Sequence, residues 1–292
     1  MSKIAIVTDS NSGISQKQSE ELGDVFVIPM PFTFNDETFY EDINLTVEQF
    51  FRKMEAGEEV LTSQPSPDTV ISLWDKLLTE YDEIVHIPMS SGLSGACQSA
   101  TMLATDYDGK VQVVNNQRIS VTQRQSVLDA KQLISKGKNA SQIKEILENN
   151  RFNSSIYIML DTLQYLKKGG RITPAAAALG TLLRIRPVLQ IQGEKPDAFA
   201  KARTISHGKT VMMNALRNDL EHRFGGVENK NYILYIAHTQ NEEAALSLKE
   251  ELAMAYPDVE IYMDRLPLSV SCHIGPGALG VGCCRKLMVD KV

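Results

Sequence analysis

The chain has 292 residues, of which 43% are hydrophobic, and its formal net charge is −6. This length can bury one large core or two moderate ones, and the acidic balance disfavours a nucleic-acid partner. No apolar run reaches the length of a membrane span, and a strand pattern begins too early for a secretory signal, so we expect a cytoplasmic protein. The cysteines lack the spacing of a zinc site, and no metal is expected; they are Cys97, Cys272, Cys283 and Cys284.

The first third of the sequence alternates strand and helix patterns. The apolar run at 3–8 predicts a buried strand, Ser15–Leu22 a short helix, and DVFVIP a second strand, which together indicate an α/β sheet. Asp9 follows the first strand, where it is expected to cap the next helix. The piece PFTFNDETFYED predicts a hairpin, because Asn35-Asp36 separates two alternating runs.

Two hydroxyl residues are predicted to cap helices. Thr46 precedes VEQFFRKMEAG, and Ser66 precedes Pro67, a residue favoured at the first helical position. Further helices are expected at about 121–136, 141–149, 206–223 and 242–255, and further strands at KVQVVN, SSIYIML, YILYIAH and VEIYMD, with a hairpin in VLQIQGEKPDAFAKART. The composition changes near residue 155, which predicts an N-terminal α/β domain at 1–155 and a second α/β domain at 156–292.

The stretch at 84–102, IVHIPMSSGLSGACQSATM, is a candidate functional site. An apolar run leads into a turn rich in serine and glycine, and a segment with helical spacing follows. Hydroxyls and unpaired backbone N–H groups at a helix start suit an anion, since the helix dipole also favours negative charge. An ordinary strand-to-helix connection explains the same residues equally well.

A serine hydrolase is one chemistry that these residues allow. The segment at 92–96, GLSGA, nearly matches the G-x-S-x-G nucleophile elbow, with Ala96 in place of the last glycine. Ser94, Asp264 and His273 also follow the chain order of a hydrolase triad. His273 lies in a CHIGPG segment, and a single histidine in a loop is more often structural than functional.

Capture of an amphipathic carboxylic acid is the alternative. Thr62, Ser94 and His273 offer donors that replace water around a carboxylate, and the apolar stretch Ala175–Leu189 offers a wall for a tail. Each buried methylene contributes roughly 0.8 kcal/mol, so sixteen carbons contribute on the order of 12 kcal/mol before binding costs. A plain packed helix at 175–183 is the simpler interpretation of that stretch.

Five separated segments, in order along nearly the whole chain, resemble the DegV family of bacterial fatty-acid-binding proteins. They are IVTDSNSGIS, TSQPSPD, PMSSGLSGACQSA, YLKKGGRITPAAAALGTLLRIRPVLQ and HIGPGALGVG. The resemblance implies two α/β domains, the first with a mostly parallel Rossmann-like sheet, and a long-chain fatty acid held between them. It also implies a set of ligand-binding residues, namely Thr62, Ser91, Ser94, Gly95, Arg171 and His273.

The resemblance further implies a carrier that is not itself an enzyme and needs no cofactor. Members of this kind present the bound acid to a separate fatty acid kinase, similar to dihydroxyacetone kinases, which forms acyl phosphate for phospholipid synthesis. The chain agrees in having no P-loop or kinase glycine loop. Arg203 resembles a position linked to docking of that partner.

Three segments depart from the family pattern. Ala96 and Cys97 replace a hydroxyl and an aromatic residue, and the last turn reads HIGPG where the family has HTGPG. Both changes affect either selectivity for the acyl chain of the fatty acid or hydrogen bonds to its head group. NNQRISVTQRQS, from 115 onward, replaces a serine- and glycine-rich loop, so no family role is carried over to it.

Overall fold

The computed structural model of the protein describes residues 2–179 and 185–287. These residues divide into two units. The first unit contains 2–151, 267–269 and 287, and the second contains 152–266 and 270–286.

The first unit alternates strands and helices along the chain. Its strands are β1 (Ile4–Asp9), β2 (Val25–Ile28), β3 (Phe32–Phe34), β4 (Glu37–Phe39), β5 (Val60–Thr62), β6 (Glu83–Ile87) and β7 (Val111–Val113). Its helices are α1 (Gln16–Leu22), α2 (Val47–Glu55), α3 (Pro67–Leu77), α4 (Ala96–Leu103), α5 (Val121–Ser135) and α6 (Ala140–Asn149), with 3-10 turns at Ser10–Ser12 and Ala104–Tyr107.

In the described residues, β2, β1, β6 and β7 form a parallel sheet in that order. Its strands are mostly apolar because helices cover both faces. Ile4 and Ile6 of β1 pack in the core beneath α5 and α6, and Ala5 and Val7 pack in the core beneath α3 and α4. The predicted Rossmann-like sheet is confirmed.

The predicted hairpin is β3–β4, and β5 joins it in a second, antiparallel sheet. Asn35 and Asp36 have φ of 46° and 67°, the left-handed conformation that a two-residue hairpin turn requires. Both predicted helix caps are also confirmed. The hydroxyl of Thr46 accepts from the backbone of Gln49 in a capping box, and Ser66 caps α3 with proline at its start.

The second unit contains β8 (Ser154–Met159), β9 (Arg186–Ile191), β10 (Asp197–Ala202), β11 (Tyr232–His238), β12 (Ile261–Arg265) and β13 (Leu279–Arg285). Its helices are α7 (Gln164–Gly169), α8 (Pro174–Leu179), α9 (Ile205–His222) and α10 (Glu242–Ala255), with a 3-10 turn at Val227–Asn229. A last helix, α11 (Leu268–Ile274), begins in the first unit and ends in the second.

Among the described residues the strands of the second unit form one mixed sheet in the order β10-β9-β8-β13-β11-β12, with only β11 and β12 parallel. Helices α9 and α10 pack on one face, where Tyr157 and Met159 belong to the core. The intervening side chains point to the opposite face because strand side chains alternate. There, Gly280 lies against Ile158, and Gly282 lies against Ile156.

Three elements differ from the expectation. The tail expected as a glycine-rich turn contains α11 and the central strand β13, so His273 lies in the last turn of a helix and not in a loop. Thr62 ends a strand, β5, that the sequence did not indicate. The apolar stretch Ala175–Leu189 is seen only in part, because residues 180–184 lie outside the described residues.

Candidate functional site

The serine-rich turn connects β6 to α4 in the first unit. Backbone N–H groups of Leu93 and Ser94 donate to the carbonyl of Ser90 at 2.9 and 3.2 Å, and Gly92 N donates to the Ser90 hydroxyl at 3.3 Å. The turn therefore satisfies several of the donors that were expected to remain for an anion. Side-chain hydroxyls, more than backbone amides, are what this turn can offer to a ligand.

Ser94 is the hydroxyl placed best for that task. Its Oγ accepts a 3.1 Å hydrogen bond from Ala96 N at the start of α4. A hydroxyl that accepts through a lone pair keeps its proton for donation. Ser94 is half-buried, and Gly95 beside it is exposed, so the proton is available to a ligand without being fully hydrated.

Thr62 belongs to a segment that reaches this turn. It ends β5, where it pairs with Phe32, and it is half-buried. Two residues later, Gln64 donates to Ser99 of α4 at 3.0 Å, and its Oε1 is 2.8 Å from the position that a side chain on Gly95 would take. The absence of a side chain at Gly95 lets the Thr62 segment approach the Ser94 turn.

The loop at 115–120 supports the same turn. Asn115 Nδ2 donates to the Ser91 hydroxyl at 2.9 Å, and the Arg118 carbonyl accepts from Ser90 N at 2.9 Å. Arg118 is itself buried, with its guanidinium 3.9 Å from the Asp129 carboxylate. Ser91 is thus held in place by Asn115, and it is also a candidate ligand-binding residue. Sequence reasoning missed this support, because polar residues in a loop give no signal of burial.

Asp9 does more than cap the following turn. Its buried carboxylate accepts from Asn11 N at 3.1 Å, as a cap does, and also from Met89 N at 2.8 Å and Gln123 Nε2 at 3.1 Å. Burial raises the pKa of the Asp9 carboxyl, although these three donors oppose the shift. The carboxylate thus ties β1 to the residue just before the serine-rich turn.

The second unit brings Arg171 and His273 together. The His273 imidazole lies directly against the backbone of Gly169, leaving no room for a side chain there, and Arg171 donates to the Gly169 carbonyl. Burial, and then the positive charge of Arg171, lower the pKa of His273 to about 4. His273 is therefore a neutral imidazole near pH 7, able to donate one hydrogen bond but carrying no charge.

The hydrolase triad receives no support from this geometry. The Asp264 carboxylate accepts from the Tyr262 hydroxyl at 2.8 Å and from Arg265 N at 2.8 Å, and its charge acts on His238. A histidine with a pKa near 4 is a weak base at neutral pH. Ser94 also lacks the positive φ that a strained nucleophile elbow requires.

The other predictions from the sequence concern a docking residue, an apolar helix, metal binding and membrane spans. Arg203 is exposed between β10 and α9. Ala176 of α8 is fully buried, whereas Ala175 and Ala178 are exposed. The ranges 2–179 and 185–287 contain no group of three metal-ligating side chains, and none of their helices is long and apolar enough to cross a membrane.

Comparison with known proteins identifies the family. The family model described as "Uncharacterised protein, DegV family" matches residues 3–286. The chain belongs to the DegV family. It is similar to Protein DegV of Bacillus subtilis strain 168, with 31% identity over 97% of this chain and 99% of that protein.

Solved DegV structures share the fold. A fatty-acid-binding DegV family protein from Thermus thermophilus matches with a TM-score of 0.88 and 31% identity over 97% of this chain and 99% of that one. DegV of Bacillus subtilis, a fatty acid binding protein, matches with a TM-score of 0.86 and 30% identity over 98% and 100%. Both of these DegV family members bind fatty acids.

Two of the departures from the DegV pattern have a structural explanation. Cys97 is buried in the core beneath α3 and α4, where burial raises its thiol pKa to about 11, so it acts as a small apolar residue. The loop that begins at Asn115 keeps a role through the bonds that it makes to the serine-rich turn.

Proposed function

We propose that this protein binds a long-chain fatty acid and releases it unchanged. The observation that carries the proposal is the half-buried Ser94 hydroxyl, whose acceptor side is occupied by Ala96 N and whose proton is left to donate. Fatty acid binding by two DegV proteins with 30% and 31% identity over nearly the whole chain supports the choice of ligand.

The carboxylate is held by neutral donors in this proposal. Thr62 and Ser94 donate hydroxyl protons, and His273 completes the network through an N–H of its neutral ring. Hydrogen bonds from such groups to an ionised acceptor are each about twice as strong as bonds between neutral groups. Arg171 supplies the nearby positive charge that balances the head group, since it donates to the Gly169 carbonyl and the His273 ring lies against Gly169.

The tail occupies the face of the second sheet opposite α9 and α10. On that face, β13 presents Gly280 and Gly282, beside Ile158 and Ile156 of β8. The two glycines let β13 lie close to the backbone of β8 without adding side chains to this face, and the neighbouring isoleucines make the face apolar. A methylene chain on this surface gains roughly 0.8 kcal/mol for each buried CH₂.

The carrier presents its acid to a fatty acid kinase of the dihydroxyacetone-kinase type in the cytoplasm, and it takes no part in the phosphoryl transfer. Arg203 is our candidate contact with that partner. Its side chain is exposed on the connection between β10 and α9, where a second protein can reach it.

Mass spectrometry of lipid extracted from the denatured protein tests the proposal. We expect about one long-chain fatty acid per chain, and we expect added palmitate to displace it. A chain that carries no fatty acid and does not bind palmitate at micromolar concentration contradicts the proposal. A fluorophosphonate probe that labels Ser94 would instead favour the hydrolase.

A further inference from the structure

Thr239 is a buried residue just after β11 that contacts the segment following His273. Its side chain and backbone are 1% exposed, although it is polar. Gly277 N donates to the Thr239 carbonyl at 2.8 Å, and Thr239 N donates to the Ala278 carbonyl at 3.2 Å. The backbone of Thr239 therefore pairs with the last residue of the HIGPG turn and with the alanine after it.

The Thr239 hydroxyl adds two bonds to the same segment. Its Oγ1 donates to the Gly275 carbonyl at 2.6 Å and accepts from Ala278 N at 3.0 Å. Only a hydroxyl can donate and accept at one atom in this way. Because Gly275 lies two residues after His273, the hydroxyl fixes the backbone on which the imidazole is mounted.

Close packing holds the turn from its other side. Gly275 lies against the ring of Tyr165, and Gly277 lies against the Asp161 carboxylate, which is paired with Arg186. Both glycines have left-handed φ, near +80°, so the chain could not follow this path with larger residues. Packing prevents the turn from moving towards Tyr165 and Asp161, and the hydrogen bonds prevent it from moving away from Thr239.

We propose that Thr239 is a positioning residue that aims His273 at the carboxylate of the bound acid. The proposal rests on the proposed function. A hydrogen bond weakens steeply once its angle falls below about 120°, so a displacement that tilts the imidazole weakens its bond to the ligand. Asn241 contributes to the same positioning, since its Nδ2 donates to the Gly277 carbonyl at 2.9 Å.

The test measures the dissociation constants of palmitate and of methyl palmitate, which has the tail but not the charge. T239V is expected to weaken palmitate about tenfold, the value of one charge-assisted hydrogen bond, and to leave methyl palmitate within about twofold. T239S keeps the hydroxyl and is expected to restore palmitate binding. Y157F is the matched control, because it removes a buried hydroxyl bonded to Asp219 at 2.7 Å on the α9 face.

A double-mutant cycle separates positioning from general loosening. In an H273F background, T239V should cost no further palmitate affinity, because its effect passes through the imidazole. Equal losses for palmitate and the methyl ester, or additive losses in the double variant, overturn the proposal. So does a T239V protein that binds palmitate normally while H273F does not.

A second variant keeps the test decisive if T239V does not fold. N241A removes a half-buried side chain that donates to the same turn, and it should weaken palmitate about threefold with methyl palmitate unchanged. An unchanged palmitate affinity for N241A then overturns the proposal. Wild-type protein that binds no palmitate is a different result, because it refutes the proposed function itself.

Discussion

The two turns that carry the candidate donors are stabilised in different ways. The serine-rich turn of the first unit is bonded mainly within itself, with Leu93 and Ser94 donating to Ser90. The HIGPG turn of the second unit is bonded to Thr239, 36 residues away from Gly275. A turn closed by its own residues can be recognised from sequence, whereas a turn held by distant residues is visible only in the fold.

One contact from outside the serine-rich turn makes the two turns more alike. Removing that contact should have the largest effect, which is on stability. The serine-rich turn also rests on Arg118, whose buried guanidinium lies near Asp129 and donates to Ser126 at 3.2 Å. R118M leaves a buried carboxyl without its partner and should lower the free energy of unfolding by about 3 kcal/mol in urea denaturation. R217M, which removes an exposed ion pair with Glu221, should change it by less than about 1 kcal/mol.

The double variant R118M/D129L should recover part of that loss, because it removes the carboxyl that R118M strands. Equal destabilisation by R118M and R217M would show that the Arg118 pair does not support the first unit.

Removing both hydroxyls of the first unit should have the next largest effect. T62V/S94A eliminates two donors to the carboxylate and should weaken palmitate about 100-fold, at about 1.4 kcal/mol for each bond, by isothermal titration calorimetry. T105V/S135A makes the same two changes at exposed hydroxyls of the same unit and should bind palmitate normally. If both doubles bind alike, the carboxylate is not held by the first unit.

The second unit should respond to pH through His273. Its pKa is about 4 in the folded chain and about 6.5 in the unfolded chain, so the unfolded chain binds more protons between these values. The contribution of this histidine to the free energy of unfolding therefore falls as the pH decreases from 6.5 towards 4. R171M removes a charge that opposes protonation, so the pKa of His273 should rise and the loss of stability at low pH should be smaller.

An NMR titration of the His273 ring measures that shift directly. R217M, which removes an exposed arginine elsewhere in the second unit, should leave the His273 pKa unchanged. A His273 pKa that is the same in wild type and R171M would show that Arg171 does not act on the imidazole.

The smallest effect is expected on the preferred length of the fatty acid. A side chain on Gly280 would lie 3.4 Å from Ile158 on the face proposed for the tail, so G280A should favour shorter acids. Excluding one methylene should cost about fourfold in affinity for stearate relative to myristate. V281I enlarges the next side chain, which points to the α9 face, and should leave the ratio unchanged. The same change in the ratio of stearate to myristate affinity in both variants would show that the tail does not lie on this face.

The sequence predicted the elements whose signals are local. Continuous apolar runs indicated the parallel sheet, and Thr46 and Ser66 marked helix starts. The strand β13 was missed because Gly280 and Gly282 have low strand propensity, and pairing with β8 and β11 overrides it.

The candidate site was only partly predictable for the same reason. Ser94 and His273 were suggested by their own neighbours in the chain, and Arg171 by the family resemblance. The support of Ser90 by Arg118 depends on a loop 28 residues further along, and nothing in its polar sequence marks Arg118 as buried. Burial of a charge becomes visible only when its partner, Asp129, is placed beside it.

Carbon-13 NMR of palmitate labelled at the carboxyl carbon tests the central proposal most directly. We predict one bound carboxylate resonance in wild-type protein, shifted from that of free palmitate. The resonance should move again in S94A and in H273F, because each variant removes a donor to the labelled group. A bound resonance that is identical in all three proteins, or no bound resonance at all, would contradict a carboxylate held by these hydroxyl and imidazole donors.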